Sequence, residues 1–260
     1  MNDVLLRIRD LHHWFGGLHV INGVGFSCES GAITAIIGPN GAGKTTLFNL
    51  IAGSFSPVSG SIVFDGKDIQ GLPSHRVAAL GISRTFQSTR LFPRMTVLEN
   101  VMVGRHRRAR GCFLGDMGGR LFNRDEEQRM SQACMRVLED LGIAERAAQQ
   151  ARELPFGRQR VVELARALAA EPRLLVLDEP ACGLNPQETE EMGSLIMKLR
   201  GRGITILVVE HDMSLVMGIS NHVVVLSYGS LIAEGTPREV QANDEVVSVY
   251  LGQDSGTIDA

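Results

Sequence analysis

The chain has only four cysteines in 260 residues, Cys28, Cys112, Cys134 and Cys182, widely scattered and without a Cys-x-x-Cys pair. That spacing argues against a zinc knuckle and a disulfide framework and fits reduced thiols. The sequence also lacks any apolar run near the roughly 18 residues that a spanning helix needs. Its opening residues, Met1 to Arg7, carry no basic end followed by a long apolar stretch, so work at a membrane calls for recruitment. Excess charge is missing too: the formal net charge is -3, which gives no bulk attraction to nucleic acid or anionic lipid. No nucleic-acid partner is therefore expected. There is no internal repeat, low-complexity segment or flexible linker. What is present is a 44% hydrophobic content in a length that suits one large domain or two small ones.

The most specific segment is Gly38-Pro39-Asn40-Gly41-Ala42-Gly43-Lys44-Thr45, directly behind the apolar run Ile33 to Ile37 and ahead of the helical pattern Thr46, Leu47, Leu50, Ile51. Strand, glycine loop and helix in that order make a phosphate-binding loop. The glycines let several backbone N–H groups turn toward an anion, and the helix adds its positive end. Lys44 reaches the outer phosphates, and the Thr45 hydroxyl can ligate magnesium. The segment predicts nucleoside triphosphate binding.

Short β-like runs surround the loop: Leu5 to Leu11, Val24 to Cys28 and Ser61 to Phe64, the last followed by Asp65-Gly66. From Arg94 to Arg152 the pattern turns helical, opened by Thr96-Val97-Leu98-Glu99-Asn100, with Met130, Cys134, Val137 and Leu141 on one apolar face. The piece Gly111 to Gly119 breaks that periodicity as a loop. Leu174 to Leu177, Ile204 to Val209 and Val223 to Leu226 are continuous apolar runs, suited to a parallel sheet buried on both faces. A helix spans Gln187 to Arg200, and Tyr228-Gly229 turns the chain into a closing hairpin strand, Ser230 to Glu234.

Leu174-Leu175-Val176-Leu177-Asp178-Glu179 is an apolar strand ending in two carboxylates, which places both at the strand edge where ligands of α/β proteins collect. Asp178 is read as the magnesium carboxylate. Glu179 is read as the group that orients or deprotonates the water attacking the γ-phosphate.

Together with Lys44, Asp178 and Glu179, four further elements appear in order. They are Gln87 in Arg84-Thr85-Phe86-Gln87, the segment Leu154-Pro155-Phe156-Gly157-Arg158-Gln159-Arg160, the turn Ala181 to Pro186, and His211 after Ile206 to Glu210. Over nearly its whole length the chain resembles the ATP-binding cassette ATPases that drive membrane transporters. The resemblance implies an α/β P-loop NTPase fold of the ABC nucleotide-binding type, with a flanking antiparallel β layer and a helical subdomain. It implies one ATPase domain over 1–260: a RecA-like core with β subdomain from 1–93 and 170–235, a helical subdomain over about 94–169, and a C-terminal extension over 236–260.

The resemblance also implies roles. Glu179, His211 and Gln87 form the catalytic set, His211 touching the γ-phosphate and Gln87 touching magnesium and the attacking water. Thr45, Gln87 and Asp178 hold magnesium. Phe15 stacks on adenine, with Trp14 one position off, although both rings also suit a core. Gly38, Pro39, Asn40, Gly41, Ala42, Gly43, Lys44, Thr45 and Thr46 cradle the phosphates of ATP. Gly157 is the position retained from the family's Leu-Ser-Gly-Gly-Gln signature, while Pro155, Phe156 and Arg158 depart from it. Proline fits a first helical turn, so the N-terminal end of a helix from Val161 to Ala169 can still face an anion. In this family the signature of one subunit completes the nucleotide site of another, which implies a head-to-tail dimer.

Gly81 to Gln87, Leu91 to Asn100, the long insert and Tyr250-Leu251-Gly252 further resemble the ATPases of branched-chain amino acid importers. That subgroup implies two membrane permease subunits, a sister ATPase or a second copy as dimer partner, and indirectly a solute-binding protein. It places the chain peripherally at the cytoplasmic face of the inner (plasma) membrane. Urea, short amides and aromatic acids stay open as solutes. The segment Ser88 to Phe92 and the insert suggest a groove for a permease helix, with Leu91 and Phe92 as anchors or as plain core. The basic run Arg105 to Arg110 has two readings, a patch facing lipid headgroups or a solvated face. Soluble ATP-driven switches of DNA repair or translation share the ATPase head, but normally carry long coiled coils, zinc hooks or two heads in one chain, none of which is visible here.

Overall fold

The computed structural model describes residues 3–85, 91–106 and 122–251. Gln87, the segment 88–90, the basic run beyond His106, the glycine-rich piece 111–119 and Gly252 lie outside these described residues. Among the described residues two sheets are built. The first is antiparallel, with strands β1 (Val4–Phe15), β2 (Leu18–Glu29), β4 (Ser59–Phe64) and β5 (Lys67–Asp68) in the order β2-β1-β4-β5. The second contains β3 (Ile33–Ile37), β6 (Ile82–Arg84), β7 (Leu174–Asp178), β8 (Thr205–Val209), β9 (His222–Ser227) and β10 (Ser230–Gly235), ordered β10-β9-β3-β8-β7-β6. Its strands run parallel except β10, which returns antiparallel along β9.

The continuous apolar runs are explained by burial on both faces. Every residue of β3, β7 and β8 is buried, and successive residues serve opposite clusters. Leu175, Leu177, Ile206, Val208, Val223 and Val225 join one core with the helices. Leu174, Val176, Leu207, Val209, Val224 and Leu226 join the other, which packs Phe48, Ile62 and Phe64 from helix α1 (Lys44–Ile51) and the antiparallel sheet. A buried Val, Leu or Ile contributes about 1.5–3 kcal/mol, so this double-sided sheet is the stable frame on which the loops at its edge are held.

The helical pattern after Arg94 is realised as α3 (Val97–Arg105) and α4 (Phe122–Asp140), followed by α5 (Phe156–Leu168). Thr96 starts α3 through a capping box: its hydroxyl accepts from the Glu99 N–H while the Glu99 carboxylate accepts from the Thr96 N–H. Leu138, fully buried, joins Cys134 on the face of α4 that the spacing outlines, and Leu141, one residue past the helix end, packs into the same core. Helix α6 (Pro186–Gly201) starts with Asn185 and Glu188 in the same box, with Pro186 at its first position. The other α-helices among the described residues are α2 (Ser74–Ala79), α7 (Met213–Ile219), α8 (Pro237–Gln241) and α9 (Asp244–Leu251).

Two regions depart furthest from the sequence expectation. The first two strands each run 12 residues, far beyond Leu5 to Leu11 and Val24 to Cys28. Register shifts between Ile8 and His13 interrupt the alternation, so period-two reading stops short. The bend is made by Asp10 at φ 44, against which Gly60 approaches so closely that any Cβ there would strike the Asp10 carbonyl. The second difference is α5, which begins at Phe156 with Pro155 as its N-cap rather than inside its first turn. No helix among the described residues is long and apolar enough to cross a membrane.

Candidate nucleotide site

The loop from Gly38 to Gly43 leaves β3 and enters α1 through three left-handed glycines, Gly38 (φ 147), Gly41 (φ 82) and Gly43 (φ 98). Space as well as φ requires glycine at two of them. A Cβ on Gly38 would collide with the Leu226 carbonyl of β9, and one on Gly43 would lie 2.7 Å from the Val20 carbonyl of β2. The Tyr228-Gly229 turn of the β9–β10 hairpin braces the loop from beneath. Gly229 N–H donates to the Ala42 carbonyl at 3.2 Å, and the Asn22 N–H donates to the Gly229 carbonyl at 2.8 Å. The hairpin was legible in the sequence, but its position under the phosphate loop was not.

Asn40, Gly41 and Thr45 are exposed, Pro39, Gly43 and Thr46 half-buried, and Gly38 and Ala42 buried. Lys44 opens α1, and its buried ammonium donates to the carbonyls of Gly38 at 2.5 Å and Pro39 at 2.9 Å. Burial pushes its pKa down, and the charges of Glu179 and then Asp178 oppose that shift. The structure thus brings Lys44, Asp178 and Glu179 to one edge of the sheet, with β8 between their strands.

Asp178 ends β7, paired with Val209. Its side chain is only 4% exposed and its Oδ2 accepts from Arg84 Nη2 at 2.8 Å. Glu179 follows at φ 49, pinned by its N–H on the Val209 carbonyl at 2.9 Å, and remains half-buried. A left-handed glutamate is costly, of order 1–3 kcal/mol, and such residues gather where geometry serves function. His211 is 63% exposed beyond the end of β8, with Nδ1 3.9 Å from the buried Glu210 carboxylate. Glu210 accepts from the Ala181 N–H at 2.8 Å and the His211 N–H at 3.2 Å, and burial raises its pKa. It therefore ties the turn after Glu179 to the backbone that carries His211, a role the sequence did not announce.

Phe15 is 47% exposed at the tip of the β1–β2 hairpin. It meets His13 and Phe55 edge-on, at centroid distances of 4.8 and 5.6 Å. Trp14 instead stacks on His19 at 4.1 Å, so the two neighbouring rings have separate partners. Gly157 is buried on the first turn of α5, where a Cβ would clash with the Glu188 carboxylate of α6. Beside it Phe156 is 44% exposed, packed under the Arg160 guanidinium at 5.1 Å. Arg160 also donates to the Cys182 carbonyl at 3.3 Å, which links α5 to the turn after Glu179.

A groove of about 730 Å³ runs between the sheet edge and the helices, walled by Val77, Arg84, Phe92, Val103, Gly104 and Arg166. The two expected anchors part company: Phe92 is 47% exposed in the groove, while Leu91 packs against the helical core. The motif Arg84-Thr85-Phe86-Gln87 directs attention to Gln87 and gives Arg84 no role of its own; the local signal is only a cation where the edge strand β6 ends.

The ABC transporter family matches residues 21–182, and the family described as branched-chain amino acid ATP-binding cassette transporter matches residues 230–255. The chain is 45% identical over 255 residues to the high-affinity branched-chain amino acid transport ATP-binding protein BraF of Pseudomonas aeruginosa, covering 97% of this chain and 100% of that one. It also superposes on the ADP conformation of an ATP-binding cassette of an ABC transporter, with a TM-score of 0.85 and 32% identity over 96% of this chain and 99% of that chain. A dimeric bacterial ABC transporter cassette matches with a TM-score of 0.75 and 25% identity over 90% of this chain and 99% of the other. A left-handed glycine loop after β3, a buried lysine facing two carboxylates and these likenesses lead to one assignment: the chain belongs to the ABC transporter family and is one of its nucleotide-binding ATPase subunits.

Proposed function

We propose that this chain hydrolyses ATP to power an importer of branched-chain amino acids or a related small solute. The observation that carries the reading is the convergence of Lys44, Asp178 and Glu179 beside a glycine loop. The solute rests on the C-terminal match at residues 230–255 and on the likeness to BraF.

The described donors fit magnesium with a triphosphate: the hydroxyl of exposed Thr45 and the carboxylate of Asp178 are hard oxygen ligands. The family resemblance adds Gln87 to them. When bound, magnesium neutralises charge on the phosphate oxygens. The chain's residues divide the remaining work. Backbone N–H groups of the loop and the start of α1 hold phosphate oxygens, and the Lys44 ammonium exchanges the Gly38 and Pro39 carbonyls for charged oxygens. The Glu179 carboxylate orients water and accepts its proton, while Gln87 helps place that water. His211 donates a hydrogen bond to the γ-phosphate as charge shifts toward the leaving oxygen. Phe15 offers its exposed ring to adenine. Phe15→Ala is expected to raise KM for ATP about tenfold with kcat held, from the ~1–3 kcal/mol that base stacking supplies. An unchanged KM removes Phe15 from the base site.

In this reading residues 1–93 and 170–235 form the RecA-like core with its β subdomain, about 94–169 the helical subdomain, and 236–260 the C-terminal extension. Gly157 and the start of α5 complete the site of a sister ATPase or second copy, packed head to tail; the likeness to a dimeric cassette supports this. In the same reading the groove at Phe92 takes a helix from one of two permease subunits, and the chain works peripherally at the cytoplasmic face of the inner (plasma) membrane; the exposed Phe92 ring supports the groove contact. A solute-binding protein acts through those permeases. The test is phosphate release by the purified chain with Mg-ATP, alone and with its permeases, sister ATPase and loaded binding protein in proteoliposomes. Release that rises with the full assembly is expected. No release in either setting overturns the reading.

A further inference from the structure

We propose that Arg84 is a positioning residue for Asp178, holding that carboxylate in place for the metal that accompanies ATP. The inference rests on the assignment of Asp178 to magnesium and goes beyond it. Arg84 ends the edge strand β6, whose parallel pairing sets it beside Val176 of β7. Its side chain is 9% exposed and that of Asp178 4%, so both charges have left water. Two charges buried together are costly and usually no more stabilising than an apolar pair of the same shape. Stability alone is a weak reason for an ion pair at this point.

The geometry supplies a better one. Arg84 Nη2 donates to Asp178 Oδ2 at 2.8 Å, and Nη1 donates to Asn49 Oδ1 at 2.6 Å. Asn49 lies on α1, which also carries Lys44 and Thr45. The guanidinium is further held over the Phe48 ring of the same helix, 5.8 Å from its centroid. The next residue adds a second link to β7 through its N–H and its hydroxyl: Thr85 N–H donates to the Val176 carbonyl at 3.0 Å, and Asp178 N–H donates to Thr85 Oγ1 at 3.3 Å. A single planar cation therefore ties the helix of the phosphate loop to the end of β7. A lysine cannot make both bonds in one fixed plane. Groups that orient a metal-binding carboxylate typically change metal affinity 10- to 100-fold when removed.

The test compares Arg84→Lys, Asn49→Ala and Asp178→Asn with the unaltered chain. Nucleotide affinity without metal is measured with a fluorescent ATP analogue in EDTA. Metal affinity is measured as Mn²⁺ binding to the complex with a non-hydrolysable ATP analogue, followed by electron paramagnetic resonance. Arg84→Lys is expected to weaken Mn²⁺ binding at least tenfold while metal-free nucleotide affinity stays within twofold. Asn49→Ala, which removes one anchor of the guanidinium, is expected to weaken it about threefold. Should the lysine variant not fold, the Asn49→Ala result decides. Mn²⁺ affinity within twofold of the unaltered chain in a folded variant overturns the proposal, as does an equal loss of metal-free nucleotide binding. If Asp178→Asn leaves Mn²⁺ binding unchanged, the assignment of Asp178 to the metal has failed, and that result is distinct from an unmoved Arg84→Lys beside a weakened Asp178→Asn.

Discussion

Phosphate release by the Glu179→Gln variant is expected to fall about 10²- to 10⁴-fold, the loss typical when a general base is removed. ATP binding should survive, and an ATP-bound dimer should accumulate. The substitution keeps shape and hydrogen-bonding capacity but ends the ability to take a proton from water. The backbone argues that geometry will persist, because Glu179 is held by its N–H on the Val209 carbonyl and by a turn that Glu210 holds through Ala181, and both contacts survive the substitution. Phosphate release under saturating Mg-ATP, with gel filtration of the same sample, checks both halves. Turnover equal to the unaltered chain would falsify the role of Glu179.

Lys44→Ala is expected to lose ATP binding, by at least ~10²-fold, since a charge-assisted hydrogen bond contributes about 1.5–3 kcal/mol and the ammonium can make more than one. The effect is compounded by what surrounds the residue. Lys44 is a cation whose charge acts on both Glu179 and Asp178, so its removal leaves Glu179 beside an incoming triphosphate without that counter-charge and Asp178 with Arg84 as its partner. Its loss also strips a donor from the carbonyls of Gly38 and Pro39. Calorimetric titration with ATP reads the affinity, and a thermal melt shows whether the fold is kept. Tight binding by a folded Lys44→Ala chain would remove the phosphate-loop assignment.

Much of this site could be read locally because its parts are local. A glycine loop needs left-handed backbone at particular positions, and Gly38, Gly41 and Gly43 provide it within six residues. The runs at β3, β7 and β8 are buried at every position and apolar except at Thr34, Asp178 and Thr205, because both faces are covered, and the apolar continuity is visible in the sequence itself. The start of α3 at Thr96 follows from a side chain and a backbone three residues apart. Other features were invisible because they join distant segments. Arg84 and Asp178 are 94 positions apart, and nothing near Arg84 says which carboxylate it will meet. The full length of β1 and β2 is not visible in the residue pattern because bulges shift which residues face the core.

From residue order alone came the chemistry: a loop for phosphate, a strand ending in carboxylates, and a helical stretch between them. Short-range backbone preference and the period of apolar residues are enough for that. Tertiary structure decided how these pieces bear on one another: the β9–β10 turn braces the loop, Glu210 holds the turn after Glu179, Gly157 closes on Glu188, and Arg84 clamps Asp178 to the loop's helix. Such contacts depend on strand order and on which charges are taken out of water together, and both are settled only when the whole sheet has assembled.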